Sequence, residues 1–204
     1  MSLKPRVAKK LHESLLHHAG IHHPKLIVEN VLKTPIHTAV LHRLPWLVIG
    51  LGGGLLTAQI ITGFIATLEN NLLLAGFIPL MVYMTDAVGT QIEAFFIRDY
   101  ALTPNFQYHR YFLKHLTIVS TLAAILGGTL FIVASIVFRH PALGVVLGLS
   151  LGLGIISSVF TGLFIPYLFS KAKLDPANTT GPIATIIQDF VTIVIYFSIA
   201  SLLL

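Results

Sequence analysis

The hydrophobic positions of this chain do not alternate with polar ones; they run in long blocks. Apolar residues dominate five stretches, 45–68, 72–98, 116–138, 142–169 and 182–204. Each meets or nearly meets the about 20 residues that a helix needs to cross the hydrocarbon core of a bilayer. Glu69-Asn70-Asn71 separates the first two stretches, and Arg139-His140-Pro141 separates the third from the fourth. Polar turns this short predict two hairpins of antiparallel helices. The pattern therefore predicts an all-α, polytopic membrane protein with five transmembrane helices.

Residues 1–42 differ in character. Leu3, Val7, Leu11 and Leu15 recur at four-residue spacing, with Lys4, Arg6, Lys9 and Lys10 on other faces. This resembles a basic amphipathic helix lying on an anionic cytosolic leaflet. Pro24 and Pro35 divide the approach to the first span, and residues 43–204 form the transmembrane domain. No apolar run follows the basic start until about residue 44, so no cleavable signal peptide is expected.

Composition agrees with the pattern. Of the 204 residues, 55% are hydrophobic and 10% charged, with a net charge of +5. A soluble domain carries roughly a quarter charged residues. The basic residues fall between the apolar runs, not on one face, which argues against a nucleic-acid partner and for topology signals. Placing the N-terminus inside and the C-terminus outside leaves only Arg139 of the 13 Lys and Arg residues on the outer side. The expected location is the cell (plasma) membrane, with lipid as a partner. The absence of cysteine removes disulfides and thiolate metal sites.

Within the spans the costly residues are carboxylates. Asp86 and Glu93 are seven residues apart and share a helix face with Thr90. From the ~1.5 Å rise per residue, Asp86 lies roughly 18 Å and Glu93 roughly 8 Å from Arg98. Asp189 lies about 11 Å from Pro182 by the same measure, with Thr185 one turn away on its face. No Lys, Arg or His lies in the core of any predicted span. An acid without a basic partner in lipid is protonated or is neutralised by a visiting cation. Oxygen-only ligands suit hard divalent cations, Mg²⁺ first, with Mn²⁺, Co²⁺ or Ca²⁺ behind.

Three readings stay open at this stage: a divalent-cation channel or transporter, a proton-coupled divalent-cation exchanger or exporter using Asp86 and Glu93, and an assembly factor with structural acids. Flux without a pH gradient separates the first two. No nucleophile–base pair is visible, so no enzyme and no cofactor are expected. His17, His18, His22 and His23 make either a solvated, lipid-facing stretch or a weak transition-metal or pH sensor. The glycines of the first, third and fourth spans are read as close helix packing. Pro79 and Pro166, in the echoed "AGFIPLM" and "GLFIPYL", are expected to kink their spans beside a cavity.

Several segments together resemble a known family. They are "RLPWL" (Arg43–Leu47), "FIPLM" with "GTQ" (Gly89–Gln91), "FIR" (Phe96–Arg98), "IP" (Ile165–Pro166) and above all "DPANTTGPIATIIQDFVTIVIYF" (Asp175–Phe197). The chain is similar to the membrane domain of the MgtE magnesium transporters and their animal solute-carrier relatives. The resemblance implies a homodimer with a Mg²⁺-selective, channel-like path, Asp189 as the pore-facing ligand and Asp175 near the cytoplasmic mouth. Where the family has Gly-Gly-Asn-Ala before its Gly-x-Gln, this chain reads Thr85-Asp86-Ala87-Val88. That departure adds an acid. The chain also has no counterpart of the family's acidic N-terminal and paired CBS domains, so gating by that route is expected to need a separate regulatory subunit.

Overall fold

The computed structural model describes residues 32–103, 106–172 and 176–204. The amphipathic segment, the His17–His23 cluster and Asp175 lie outside them. The elements are α1 (Ile36–Gly63), α2 (Ile65–Asn70), α3 (Leu73–Leu102), α4 (Tyr108–Val137), α5 (Pro141–Lys171) and α6 (Pro176–Leu203). Among the described residues there is no strand. Five of the helices are long and apolar enough to span a bilayer. The protein is a multi-pass, all-α membrane protein.

The first helix departs from its expected bounds. It starts at Ile36, runs through Pro45 and stops at Gly63, where residues 45–68 had suggested one uninterrupted span. At Phe64 the backbone leaves the helix (φ −106°, ψ 18°), and residues 65–70 continue as the separate α2. Phe64 stacks on Phe197 of α6 with centroids 5.0 Å apart. This contact across helices holds the ring where the helix breaks. The turn between α4 and α5 is sharper. Arg139 adopts φ 51°, an uncommon conformation for a side chain with a Cβ. Pro141 then starts α5, and Nδ1 of His140 accepts a hydrogen bond from the Leu143 N–H at 3.1 Å.

α5 is the central helix. It packs against α3, α4 and α6, whereas α1 packs chiefly along α6. About 61% of the most apolar stretch of α5 is buried inside the chain, against 6% for α1, which therefore presents most of its surface outward. Glycines make these contacts close. A Cβ on Gly148 would stand 2.7 Å from the carbonyl oxygen of Gly127, and one on Gly162 would stand 2.7 Å from that of Gly89. The α4–α5 and α3–α5 seams are thus backbone against backbone. In lipid, where apolar burial gives no net drive between helices, such approach supplies the association energy. Pro79 is exposed on α3 and Pro166 is buried within α5.

Tyr196 of α6 is fully buried, and its hydroxyl donates to the Leu74 carbonyl of α3 at 2.8 Å. Tyr196→Phe removes that donor with little change of shape. The expected loss is about 1 kcal/mol, read as a lower thermal midpoint in detergent. An unchanged midpoint would contradict this role.

Candidate cation site

The site lies where α3 and α6 run antiparallel beside α5. On α3, successive polar residues point different ways because each step turns the helix by about 100°. Thr85 is fully buried, Asp86 half-buried and Thr90 exposed. The stripe expected for Asp86, Thr90 and Glu93 is therefore split, with Thr90 on the open side and both acids half-covered. Oγ1 of Thr185 on α6 donates to Oδ1 of Asp86 at 3.0 Å. This bond joins two candidates that are distant in sequence. Asp189 is one turn further along α6 and half-buried. Its Oδ1 is shielded from solvent and has no hydrogen-bond partner.

Asp86 is near enough to act electrostatically on both Glu93 and Asp189. Among the described residues, none of the three acids pairs with a Lys, Arg or His. The nearest cation in sequence, Arg98, donates from Nε to Oδ1 of Asp99 at 2.9 Å, while the Tyr111 hydroxyl donates to Oδ2 at 3.0 Å. That exposed pair is self-contained at the end of α3. Beneath it Phe96 is fully buried among Tyr100, Phe106, Tyr108, Tyr111 and Tyr167. Among the described residues no three His, Cys, Asp or Glu side chains converge closely enough to hold a metal ion. One copy thus offers dispersed carboxylates, not a closed cage.

Sequence reasoning missed a second polar cluster behind the acids. Gln188 is 1% exposed, and its Oε1 accepts from the Thr161 hydroxyl at 2.8 Å. Its amide nitrogen lies 3.1 Å from Ser157 Oγ and 3.1 Å from Thr192 Oγ1. Thr192 in turn meets Thr85 of α3 at 2.9 Å. The four-residue spacings of Gln188 to Thr192 and Ser157 to Thr161 were visible in the sequence. Which helices they would join was not.

A family model described as MgtE, a divalent cation transporter, matches residues 78–199, from within α3 to near the end of α6. The chain belongs to the MgtE family. The magnesium transporter MgtE of Enterococcus faecalis is 32% identical over 177 residues, covering 86% of this chain and 39% of that protein. That of Bacillus subtilis is 33% identical over 178 residues, covering 82% and 38%. That of Thermus thermophilus is 33% identical over 172 residues, covering 80% and 37%. The chain spans about two fifths of the length of these MgtE relatives. Asp86, Glu93, Thr185 and Asp189 all fall inside the MgtE match, while α1 and α2 lie wholly before it.

Proposed function

We propose that the chain carries divalent cations, Mg²⁺ foremost, across a membrane, with Asp189 and Asp86 as the principal ligands. The observation that carries this reading is the solvent-shielded, unpartnered Oδ1 of Asp189 beside the Asp86–Thr185 bond. A carboxylate oxygen removed from water needs a partner, and no protein group supplies one. Mutual repulsion with Asp86 adds to the cost. A cation in transit relieves both. The names of the relatives add Mg²⁺ as the cargo.

Mg²⁺ requires near-octahedral oxygen coordination and dehydrates reluctantly. The dispersed acids of a single copy cannot complete six positions without other donors. A homodimer with two Asp189 side chains at the shared path, and retained water in the remaining positions, would meet the requirement. Glu93 and the exposed Thr90 extend the path toward the Arg98 end, and Asp175 is assigned to its mouth. The membrane potential drives the ion inward, worth ~2.3 kcal/mol per charge per 100 mV.

Purified protein in liposomes tests this. Voltage-driven Mg²⁺ uptake without a pH gradient is expected, with Mn²⁺, Co²⁺ and Ca²⁺ compared in parallel. Uptake that collapses without a pH gradient would overturn it in favour of proton-coupled exchange. Two variants refine the ligand set. Asp86→Asn is expected to cut Mg²⁺ uptake about tenfold, because it removes a charge but keeps an oxygen facing Thr185. Thr185→Val, which only frees the Asp86 oxygen, is expected to cost about threefold. Equal uptake by wild type and Asp86→Asn would remove Asp86 from the site.

A further inference from the structure

We propose that Gln188 is a positioning residue that fixes the rotation of α6 and so turns Asp189 toward the ion path. This rests on the reading of Asp189 as a ligand. Ser157 Oγ donates to the Gly154 carbonyl at 2.7 Å, which leaves its lone pairs for one N–H of Gln188. The other N–H goes to Thr192 Oγ1, and the Gly154 carbonyl, 3.2 Å from the amide nitrogen, shares the N–H on the α5 side. The Thr192 hydroxyl then donates to Thr85 Oγ1, whose own hydrogen goes to the Met81 carbonyl at 2.9 Å. With Thr161 donating to Gln188 Oε1, one directed chain crosses from α5 through α6 to α3. Every donor in it is used, and Thr85, Thr161, Gln188 and Thr192 are all buried.

Gln188 and Asp189 are consecutive on α6, so their side chains diverge by about 100°. Holding Gln188 between α5 and α3 therefore dictates where Asp189 points. Replacing the amide by an apolar group leaves the Thr161 hydroxyl only the Ser158 carbonyl at 3.2 Å and Thr192 only its bond to Thr85, so the polar tie between α5 and α6 is lost. Without that tie the rotation of α6 is no longer fixed at this level, and Asp189 turns with the helix.

The chain has no cysteine, so a single Asp189→Cys reports the geometry directly. Its reaction with a charged, water-borne thiol reagent is measured alone and combined with Gln188→Leu, Thr161→Val or Thr161→Ser. Gln188→Leu is expected to slow the reaction about tenfold and Thr161→Val about threefold, while Thr161→Ser keeps the hydroxyl and leaves it unchanged. With Asp189 restored, Gln188→Leu and Thr161→Val should raise the KM for Mg²⁺ and weaken its preference over Ca²⁺. A purely structural role would lower the maximal rate and thermal midpoint and leave KM and preference alone. Unchanged cysteine reactivity together with wild-type KM and preference in these variants overturns the proposal. If Gln188→Leu does not fold, the two Thr161 variants decide the matter. Wild-type flux by Asp189→Asn would instead remove the ligand reading, and the cysteine rates would still judge the orientation of α6.

Discussion

Asp189→Asn is expected to lower Mg²⁺ uptake about 100-fold, about 2.7 kcal/mol, without lowering the amount of folded protein. The substitution is close to isosteric. Because Oδ1 of Asp189 bonds to nothing in the chain, the amide breaks no internal hydrogen bond. It also removes one member of a like-charged group that has no basic partner among the described residues, so the folded state loses nothing electrostatically. What is lost is the negative charge that a dehydrating divalent cation requires. Proteoliposome uptake at fixed voltage, beside a thermal midpoint in detergent, separates the two effects. Uptake within twofold of wild type, or a parallel collapse of the midpoint, would sink this assignment. The contrast with Asp86→Asn is informative. Asp86 already accepts from Thr185, so its loss falls partly on packing between α3 and α6.

The second large effect is expected in stability. Gly148→Ala places a Cβ 2.7 Å from the Gly127 carbonyl oxygen and 2.8 Å from Phe131 Cβ, with the Phe131 Cα at 3.3 Å. Backbone atoms on a packed helix cannot swing aside as a flexible side-chain end can. The helices must separate along the whole seam, at a cost of about 1–3 kcal/mol. Gly128→Ala is the internal control, because a Cβ there meets nothing within 4 Å. The thermal midpoint of Gly148→Ala should fall by several degrees while that of Gly128→Ala holds. Equal midpoints would show that the α4–α5 seam accommodates a methyl group and is looser than its geometry implies. Since Asp189 does not lie on that seam, the KM for Mg²⁺ should move little in whatever protein remains folded.

The spans were legible because dehydration in a bilayer leaves the backbone few alternatives: a run of about 20 apolar residues must satisfy its hydrogen bonds as a helix. The start of α1 was not. Pro45 reads as a helix start, yet the helix carries it in its interior, and the break came at Gly63–Phe64, where packing on Phe197 intervenes. The carboxylates were legible for a related reason, since a charge in lipid is too costly to go unnoticed. Neutral polar residues carry no such flag. Gln188 adjoins the conspicuous Asp189 and was passed over, although it is the more deeply buried of the two. Thr90 shows the limit of a helical wheel. It lies within about 40° of Asp86 on the wheel, but the neighbouring helices cover one and leave the other exposed.

The sequence by itself determined the class of protein, the number of spanning helices, the presence of intramembrane acids without basic partners, and the family. These follow from local solvation, which each segment meets on its own. Only the tertiary structure decided that Thr185 reaches Asp86, that Asp189 keeps an unpartnered oxygen, and that Gln188 ties α5 and α6 to α3. Those facts depend on the rotation of each helix about its axis. A helix embedded in apolar surroundings has no solvent side to set that rotation, so the close glycine seams and the buried hydroxyl chain set it instead.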